Sequence, residues 1–487
     1  MKISMNRSSD MGNAGQTSYT TARVAHWNRL AIKMDSWQSW GSYYHRRLAQ
    51  IYRFLVPPHC RVLEIGCGYG DLLAALSPTR GVGVDLSGEM IQRAKRRHPE
   101  LHFVECDAHE LKTSETFDVI ILSDLVNDLW DVQRVLRQLS PLCLSGTRII
   151  MNFYSHLWEL PLRLVQRLGL IKPMLDQNWL TPNDISNLLH LEPYEIVRQW
   201  EEVLWPLEAP LFAGFFNRYL VKCWPFGLLA LTHFVVAKPR PRPEQFDDEP
   251  LVTVVVPARN EAGNIPEVVA RIPEMGSGTE ILFVEGHSTD DTLQTLKEAA
   301  AGHPSRRCKI LQQTGKGKGD AVRLGFAEAA GDILMILDAD MTVPPEELPK
   351  FYEALRSGKA EFVNGCRLVY PLEKQSMRFL NLLANKFFSL IFSWLLGQPI
   401  KDTLCGTKAL TRENYTRIAE NRSYFGDFDP FGDFDLLFGA AKLHLKILDL
   451  PIRYRERTYG STNIRRWRHG WLLVKMVLFA VKRIKFL

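Results

Sequence analysis

The chain has 487 residues, 46% of them hydrophobic and 23% charged, with a formal net charge of +6. That length exceeds one ordinary core and points to two or three domains, and the composition excludes a disordered chain. No recognisable nucleic-acid module accompanies the modest positive charge, so no nucleic acid is expected as a partner.

The eight cysteines (60, 67, 106, 143, 223, 308, 366 and 405) form no Cys-x-x-Cys and no paired Cys/His spacing. This argues against a zinc site or a disulfide framework and for a reducing compartment. The N-terminal Met1-Lys-Ile-Ser-Met-Asn-Arg7 lacks an apolar core of signal-peptide length, so export is not expected.

Residues 1–22 are rich in Ser, Asn, Gly, Thr and Gln without periodicity and are expected to be disordered. A first domain is read at 23–238. Helical patterning runs from about Trp37 to Leu55 and stops at Pro57-Pro58. Arg61-Val-Leu-Glu-Ile-Gly-Cys-Gly-Tyr-Gly70 then reads as a strand running into Gly66, Gly68 and Gly70, followed by helical Asp71–Leu76. Glycines there let the backbone approach a ligand at a helix N-terminus. A second strand, Gly81–Asp85, ends in an acid suited to both hydroxyls of a ribose. A third, Leu101–Asp107, ends in another acid, and a fourth, Phe117–Asp124, is nearly all apolar. Strands alternating with helices make a doubly wound α/β sheet.

Gly-x-Gly-x-Gly preceded by Glu64 is not the Gly-x-Gly-x-x-Gly of dinucleotide enzymes. The series Glu64, Asp85, Asp107 at successive strand tips resembles the class I S-adenosylmethionine-dependent methyltransferases, over roughly residues 40–240. The resemblance implies S-adenosylmethionine as cofactor, bound by Glu64, Gly66, Gly68, Gly70, Asp85 and Asp107. Gly66 and Gly68 would face its methionine part, Asp85 the ribose and Asp107 the adenine amine. The closing antiparallel strand of that fold would lie near Leu231–Ala237. No methyl acceptor and no base are legible; His156, Trp158, Asn178 and Trp179 are candidates to line the acceptor pocket or to sit in the core.

A proline-rich, charged stretch, 239–250, reads as a semi-rigid linker. A second domain is read at 251–465. Leu251–Val256 is a strand with Pro257-Ala-Arg-Asn260-Glu261 at its tip. The next, Glu280–Glu285, leads into Gly286-His-Ser-Thr-Asp290-Asp-Thr292, and a Gly-Lys loop containing Lys318 follows. The run Ile333–Leu337 then ends abruptly in Asp338-Ala-Asp340, as a buried parallel strand with an exposed C-terminal tip does. Two carboxylates one residue apart can share a hard cation that bridges a diphosphate. Alternatively they only end the strand and cap the helix beginning near Pro345-Glu346.

These tips resemble the inverting glycosyltransferases of family 2, with their GT-A fold, over about residues 250–465. The resemblance implies a nucleotide-sugar donor contacted by Pro257, Asn260, Glu261, Glu285, Asp290, Lys318 and Asp338, and Mg²⁺ or Mn²⁺ held by Asp338 and Asp340. Farther on, Asn364-Gly-Cys-Arg367, Arg378, Asp402-Thr-Leu-Cys-Gly-Thr-Lys408, Phe434-Asp435 and Pro451–Gly460 follow the order seen in dolichol-phosphate mannosyltransferase-like enzymes. That implies a polyprenyl-phosphate acceptor, with Arg367 and Arg378 on its phosphate and Arg457 on the donor diphosphate. Such an acceptor is already anionic and needs arginine clamps and a metal more than a base. A saccharide acceptor would need a carboxylate base, for which Asp435 is the nearest candidate, so Asp340, Arg457 and Asp435 are the catalytic candidates. The chain departs from the family pattern at Thr342 (usually Gln), Glu285-Gly286 (usually Asp-Asp) and Gly460–Asn463 (usually Gly-x-Ser-Lys).

Met377–Leu396 is apolar but broken by Arg378, Asn381, Asn385 and Lys386, which suits an interfacial helix better than a span. From Arg453 to Leu487 ten Lys or Arg face one acid, Glu456, and 466–487 reads as a basic amphipathic helix on a membrane surface. The expectation is a two-domain α/β fusion, cytoplasmic and peripheral at the inner face of the cell membrane. It would transfer a hexose to a polyprenyl phosphate and carry a methyltransferase of unknown acceptor. The alternatives are a glycosyltransferase extending a saccharide or natural product that the first domain methylates, and a membrane-docked binding module with two emptied sites. Sugar, nucleotide and oligomeric state are not legible.

Overall fold

The computed structural model describes residues 7–34, 42–167, 174–209, 212–240, 248–370, 379–422, 434–455, 457, 459 and 466–486. Contacts divide the chain into two compact units, Met1–Arg240 with Phe486–Leu487, and Pro241–Lys485.

The first unit is built on β1 (Arg61–Ile65), β2 (Arg80–Asp85), β3 (His102–Glu105), β4 (Phe117–Ser123), β5 (Cys143–Tyr154), β6 (Tyr194–Glu202) and β7 (Thr232–Pro239), in the order β3-β2-β1-β4-β5-β7-β6. The strands from β3 to β5 pair in parallel, and β7 runs antiparallel to both β5 and β6, as expected of the closing strand. Leu63, Ile65, Ile120 and Leu122 of the two central strands share one buried cluster, which is why these runs are almost continuously apolar. Each such side chain contributes about 1.5–3 kcal/mol by leaving water.

Two sequence expectations meet different outcomes here. Helix Ser42–Leu55 ends where Pro57-Pro58 stops it. Residues 7–22, expected to be disordered, instead belong to the helix Arg7–Met34. Its composition is polar and its apolar face weak, so what holds it is tertiary. Tyr19, Thr20, Arg23, Trp27 and Asn28 bond to the loops after β2, β3 and β4. Local propensity says nothing of such partners.

The second unit is built on β8 (Val252–Ala258), β9 (Thr279–Glu285), β10 (Arg307–Gln312), β11 (Ile333–Ile336), β12 (Phe362–Cys366), β13 (Lys408–Thr411) and β14 (Ile447–Pro451), in the order β10-β9-β8-β11-β13-β12-β14. β13 is antiparallel to β11 and β12; the other pairs are parallel. Val254, Val256, Ile281, Phe283, Met335 and Leu337 form its central core. All four residues of β11 are buried. Beyond them Ala339 is buried while Asp338 and Asp340 are only partly so, which puts the two carboxylates on the open side of the tip.

The helix Leu348–Arg356, entered through the turn Pro345–Glu347, has no side-chain cap. The aspartates therefore do not serve as its caps. Helix Arg466–Ala480, continued by Val481–Lys485, buries the stripe Met476, Ala480 and Ile484 and leaves Trp471 and Leu478 exposed. Its last turn meets the helix Phe379–Leu396, whose Phe387 and Leu390 are exposed, through Lys485 Nζ on the Trp394 carbonyl at 2.8 Å. Among the described residues no helix is long and apolar enough to cross a membrane.

Candidate active sites

In the second unit the tips of β8 and β11 carry a group of alternating charges. Asp338 Oδ1 lies 2.7 Å from Lys318 Nζ, at the first turn of the helix Lys318–Glu328. Burial pushes the Asp338 carboxyl up, but Lys318, Lys408 and Arg367 outweigh burial and hold it below the usual range. Asp340 turns the other way: its Oδ2 meets Arg457 at 2.5 Å, and its Oδ1 accepts from the Thr342 hydroxyl at 2.7 Å and amide at 3.1 Å. Arg457 also reaches Glu261 Oε1 at 3.4 Å, and Glu261 Oε2 accepts from Asn264 at 2.7 Å. Burial raises the Glu261 carboxyl, Arg457 opposes this, and Asp340 and Asp338 add to the rise. So Glu261, Asp338 and Asp340 feel one another and are balanced by Lys318 and Arg457.

Beside this group Pro257, Asn260, Glu285 and Asp290 form the wall of the tip. Glu285 is buried and accepts from the Ser288 amide at 2.6 Å and from Gln312 at 3.4 Å. Burial raises its carboxyl, and the Ser288 and Gln312 bonds bring it below the usual range. Asn260, in a left-handed conformation, accepts from the Thr289 amide at 2.8 Å, and its own amide donates to Ser288. Asp290 accepts from the amides of Thr292 and Ala262, joining the tips of β8 and β9. Pro257 is half-buried near the end of β8.

Other sequence candidates are placed differently. Arg367 does not present its whole guanidinium to a ligand: Nε and Nη2 fork onto Asp402 at 2.7 and 2.9 Å. Burial alone would raise Asp402, but this fork brings its carboxyl down to about 2. Asp435 pairs with Arg422 at 3.4 Å and Arg323 at 3.9 Å. Arg378 and the segment 460–465 lie outside the described residues.

Sequence reading missed Gly406 and Lys408 as site residues. A Cβ on Gly406 would collide with Asp338 Oδ2 and Lys318 Nζ, so with any other residue here the Asp338–Lys318 pair would have to shift. Lys408 is fully buried on β13, opposite Ile336, and donates to the Cys405 carbonyl. The glycine between Cys405 and Thr407 was the visible signal. What it packs on was not.

In the first unit Gly66, Gly68 and Gly70 all have φ between 53° and 75°. Cβ atoms at Gly66 and Gly70 would strike Leu125 and Phe103, whereas one at Gly68 would meet nothing within 4 Å, so the turn is packed beneath and open at its middle. Asp85 accepts from the Gly68 and Ser87 amides, both at 2.9 Å. Glu64 is buried with Oε2 unpartnered, and burial pushes its carboxyl up to about 8. Asp107 binds the His109 ring at 2.6 Å and the Thr20 hydroxyl at 3.3 Å. His156 is exposed beside Glu159, Asn178 donates to the Leu129 carbonyl and Trp158 to that of Leu229. A cavity of about 400 Å³, lined by Ser77, Arg80 and Leu101 among others, sits at the opposite end of β2 from these acids.

Residues 62–146 match the family model "Methyltransferase domain", and residues 253–416 match "Glycosyl transferase family 2". The chain joins a methyltransferase domain to a family 2 glycosyltransferase domain. The glycosyltransferase domain is 29% identical over 220 residues to a dolichol-phosphate mannosyltransferase of Pyrococcus furiosus, covering 44% of this chain and 59% of that protein. It is 36% identical over 217 residues to an undecaprenyl-phosphate 4-deoxy-4-formamido-L-arabinose transferase of Klebsiella pneumoniae, covering 43% and 62%. The chain thus spans 59% and 62% of the length of these relatives. A crystal structure of glucosyl-3-phosphoglycerate synthase from Mycobacterium tuberculosis aligns with TM-score 0.38 and 20% identity, over 48% of this chain and 80% of that one. The methyltransferase domain owns the glycine turn and its acids, and the glycosyltransferase domain owns the charge group at Asp338 and Asp340.

Proposed function

We propose that the glycosyltransferase domain transfers a hexose, with inversion, from a nucleotide-sugar to a polyprenyl phosphate, and that the methyltransferase domain uses S-adenosylmethionine. The observation that carries the first half is the convergence of Glu261, Asp338 and Asp340 with Lys318 and Arg457 at two adjacent strand tips. Carboxylates interleaved with cations suit a diphosphate together with a hard divalent cation. Among the described residues no group of three His, Cys, Asp or Glu side chains converges as a metal site. Asp338 and Asp340, one residue apart on the open side of the tip, are the carboxylates that would hold such a cation, with its remaining ligands from the donor and water, as Mg²⁺ accepts. Bound there, Mg²⁺ or Mn²⁺ would neutralise charge on the departing nucleoside diphosphate.

The protein's residues do the rest. Lys318 orients Asp338 and lies in reach of the donor's phosphates. Arg457 leaves Asp340 for the diphosphate, Glu285 and Asp290 shape the nucleoside pocket with Pro257 and Asn260, and Arg367 turns its remaining Nη1 toward the acceptor phosphate. Arg378 completes that clamp in this reading. The acceptor's ionised oxygen attacks the anomeric carbon from the side opposite the diphosphate, so no base is required. Asp435 is held between Arg323 and Arg422, which favours the phosphate acceptor over a saccharide hydroxyl that would need it as base. The names of the curated relatives support a polyprenyl-phosphate acceptor.

For the methyltransferase domain, the open middle of the glycine turn and the orphaned Glu64 Oε2 fit S-adenosylmethionine. Gly66, Gly68 and Gly70 would take its methionine part, Glu64 supporting them, with Asp85 on the ribose and Asp107 on the adenine amine. The 239–250 stretch serves as linker. Exposed Phe387, Leu390, Trp471 and Leu478, with Lys475, Lys482 and Arg483, support peripheral docking at the inner face of the cell membrane.

The test is transfer of labelled hexose from a panel of nucleotide-sugars, with Mn²⁺, into a solvent-extractable polyprenyl phosphate. The Asp340→Ala chain should show no transfer. Full activity in that variant, or label remaining in the aqueous phase as free saccharide, defeats the reading.

A further inference from the structure

The tip of β4 carries a polar cluster that none of the roles above uses. Asp124 follows the strand directly in a left-handed conformation, φ 52°, which aspartate tolerates better than most residues. The Tyr44 hydroxyl donates to its Oδ1 at 2.8 Å and Asn152 Nδ2 donates to the same oxygen at 2.5 Å. Behind them the Tyr52 hydroxyl donates to Asn152 Oδ1 at 2.7 Å, and the Tyr154 hydroxyl adjoins that of Tyr44. Both bonds to Asp124 land on one oxygen. Oδ2 accepts none, yet Asp124 is not sealed. It stays partly open to solvent with Ser123, Leu125 and Tyr154, while Tyr44, Tyr52 and Asn152 are buried. One oxygen is fixed by the fold and the other carries no hydrogen bond.

The position of that carboxylate follows from the sheet. β1 and β4 are parallel neighbours with Ile65 opposite Leu122, which sets the Gly66 turn level with Ser123 and Asp124. Leu125 packs on Gly66 so closely that a Cβ there would stand 2.9 Å from its Cδ1. The carboxylate is thus one strand away from the turn assigned to the methyl donor.

We propose that Asp124 is the base of the methyl transfer and takes, through Oδ2, the proton of a hydroxyl group on the acceptor. This rests on the methyltransferase reading above. The acceptor O–H bond breaks toward Asp124, the oxygen's electron pair forms the new O–CH3 bond, and the S–CH3 pair stays on sulfur. A sulfonium, a hydroxyl and a carboxylate become a neutral thioether, a methyl ether and a carboxylic acid, which returns its proton to water. A hydroxyl is the class that fits, because its oxygen is a weak nucleophile until its proton is taken, and a single carboxylate oxygen suffices to accept that proton. Tyr154, partly open beside the carboxylate, also carries a phenol hydroxyl of the kind that a hydroxylated molecule can bond.

Burial raises the Asp124 carboxyl to about 6, and the bonds from Tyr44 and Asn152 keep it from rising further. It is therefore ionised at neutral pH yet basic enough to accept a proton. The titratable groups facing it are Tyr44 and Tyr52 from the helix Ser42–Leu55 and Tyr154 from β5, all kept as neutral phenols by burial.

The experiment uses the full chain and Asp124→Asn. Calorimetry with S-adenosylmethionine should show binding to both within about threefold; no binding to the wild type overturns the methyltransferase reading itself. With methyl-labelled donor and catechol or mannose as hydroxyl probes, the wild type should label one of them and Asp124→Asn should be about 10²–10⁴-fold slower. With S-adenosylhomocysteine bound, carbon-13 spectra of the aspartate carboxyls should show a resonance titrating near pH 6 that is missing in Asp124→Asn and moves when the labelled probe is added. If Asp124→Asn fails to fold, Tyr44→Phe should displace that titration upward. Equal rates in wild type and Asp124→Asn, donor binding without transfer to either probe, or a resonance indifferent to the probe would overturn the proposal.

Discussion

Arg457 Nη2 lies 2.5 Å from Asp340 Oδ2, while Nη1 of the same guanidinium reaches Glu261 Oε1 at 3.4 Å. A divalent cation on Asp340 needs the same oxygen. In the proposed mechanism Arg457 would stand in for that cation before the donor arrives and give way when both are present. Arg457→Gln should bind Mn²⁺ about tenfold more tightly than the wild type in the absence of donor, as seen by paramagnetic resonance. It should also transfer sugar at least about 100-fold more slowly, because the clamp proposed for the leaving diphosphate is gone. An unchanged Mn²⁺ affinity counts against the shared oxygen.

Gly406→Ala should separate folding from donor binding. The added methyl group collides with the Asp338–Lys318 pair, and relieving it costs about 1–3 kcal/mol, as overpacking does. Thermal stabilisation by nucleotide-sugar with Mn²⁺ should vanish while the circular dichroism of the chain stays native. If stabilisation persists at wild-type strength, the loop is not part of the donor site.

The Arg367–Asp402 fork gives a prediction about stability. Arg367→Ala leaves a fully buried carboxylate without its partner and should cost about 3–5 kcal/mol in denaturant unfolding. The folded Asp402 carboxyl is depressed to about 2 against an unfolded value near 4. Its contribution is therefore complete above about pH 4 and lost as the pH falls toward 2. Arg367→Ala should destabilise the domain strongly at neutral pH and much less near pH 2, and an equal loss at both refutes the ion-pair account.

Glu64 predicts the opposite slope. Its folded carboxyl is raised by burial to about 8, so between about pH 4.5 and 8 the folded state holds a proton that the unfolded chain releases. Stability of the first unit should fall as pH rises through that window. Glu64→Gln, which carries no titrating proton, should melt higher than the wild type at pH 8 and no higher at pH 5. A difference that does not change with pH removes titration as its cause.

The proposed membrane docking has its own assay. Trp471 and Leu478 project from a helix whose other stripe is buried, beside exposed Lys475, Lys482 and Arg483. Vesicles containing anionic lipid should sediment the chain, and a Trp471→Ser, Leu478→Ser double variant should lose most of that binding. Salt should weaken the wild-type interaction, since surface charges are screened. Retained binding in the double variant places the contact elsewhere.

The acids and glycines at the strand ends were readable because each is a local event. A β-branched run must stop where the sheet stops, and the next residue can afford to be Asp85, Glu285 or Asp338. Three glycines at alternate positions marked where the backbone can approach a ligand for the same reason, and all three have positive φ. Two-sheet α/β architecture follows from that periodicity.

Partners were not readable. Asp340 meets Arg457 across 117 positions, Asp124 is joined to Tyr44 across 80 and to Asn152 across 28, and Gly406 touches Asp338 from another strand connection. Such pairings depend on strand order and register, which no short window of sequence encodes. The helix Arg7–Met34 shows the same limit from the other side: its polar residues promised no structure, and bonds to loops some hundred positions away supplied it. Sequence alone determined which chemical groups stand at the strand ends. Tertiary structure decided which of them share a proton, a charge or a ligand, because those interactions reach only a few ångströms and the fold sets who comes that close.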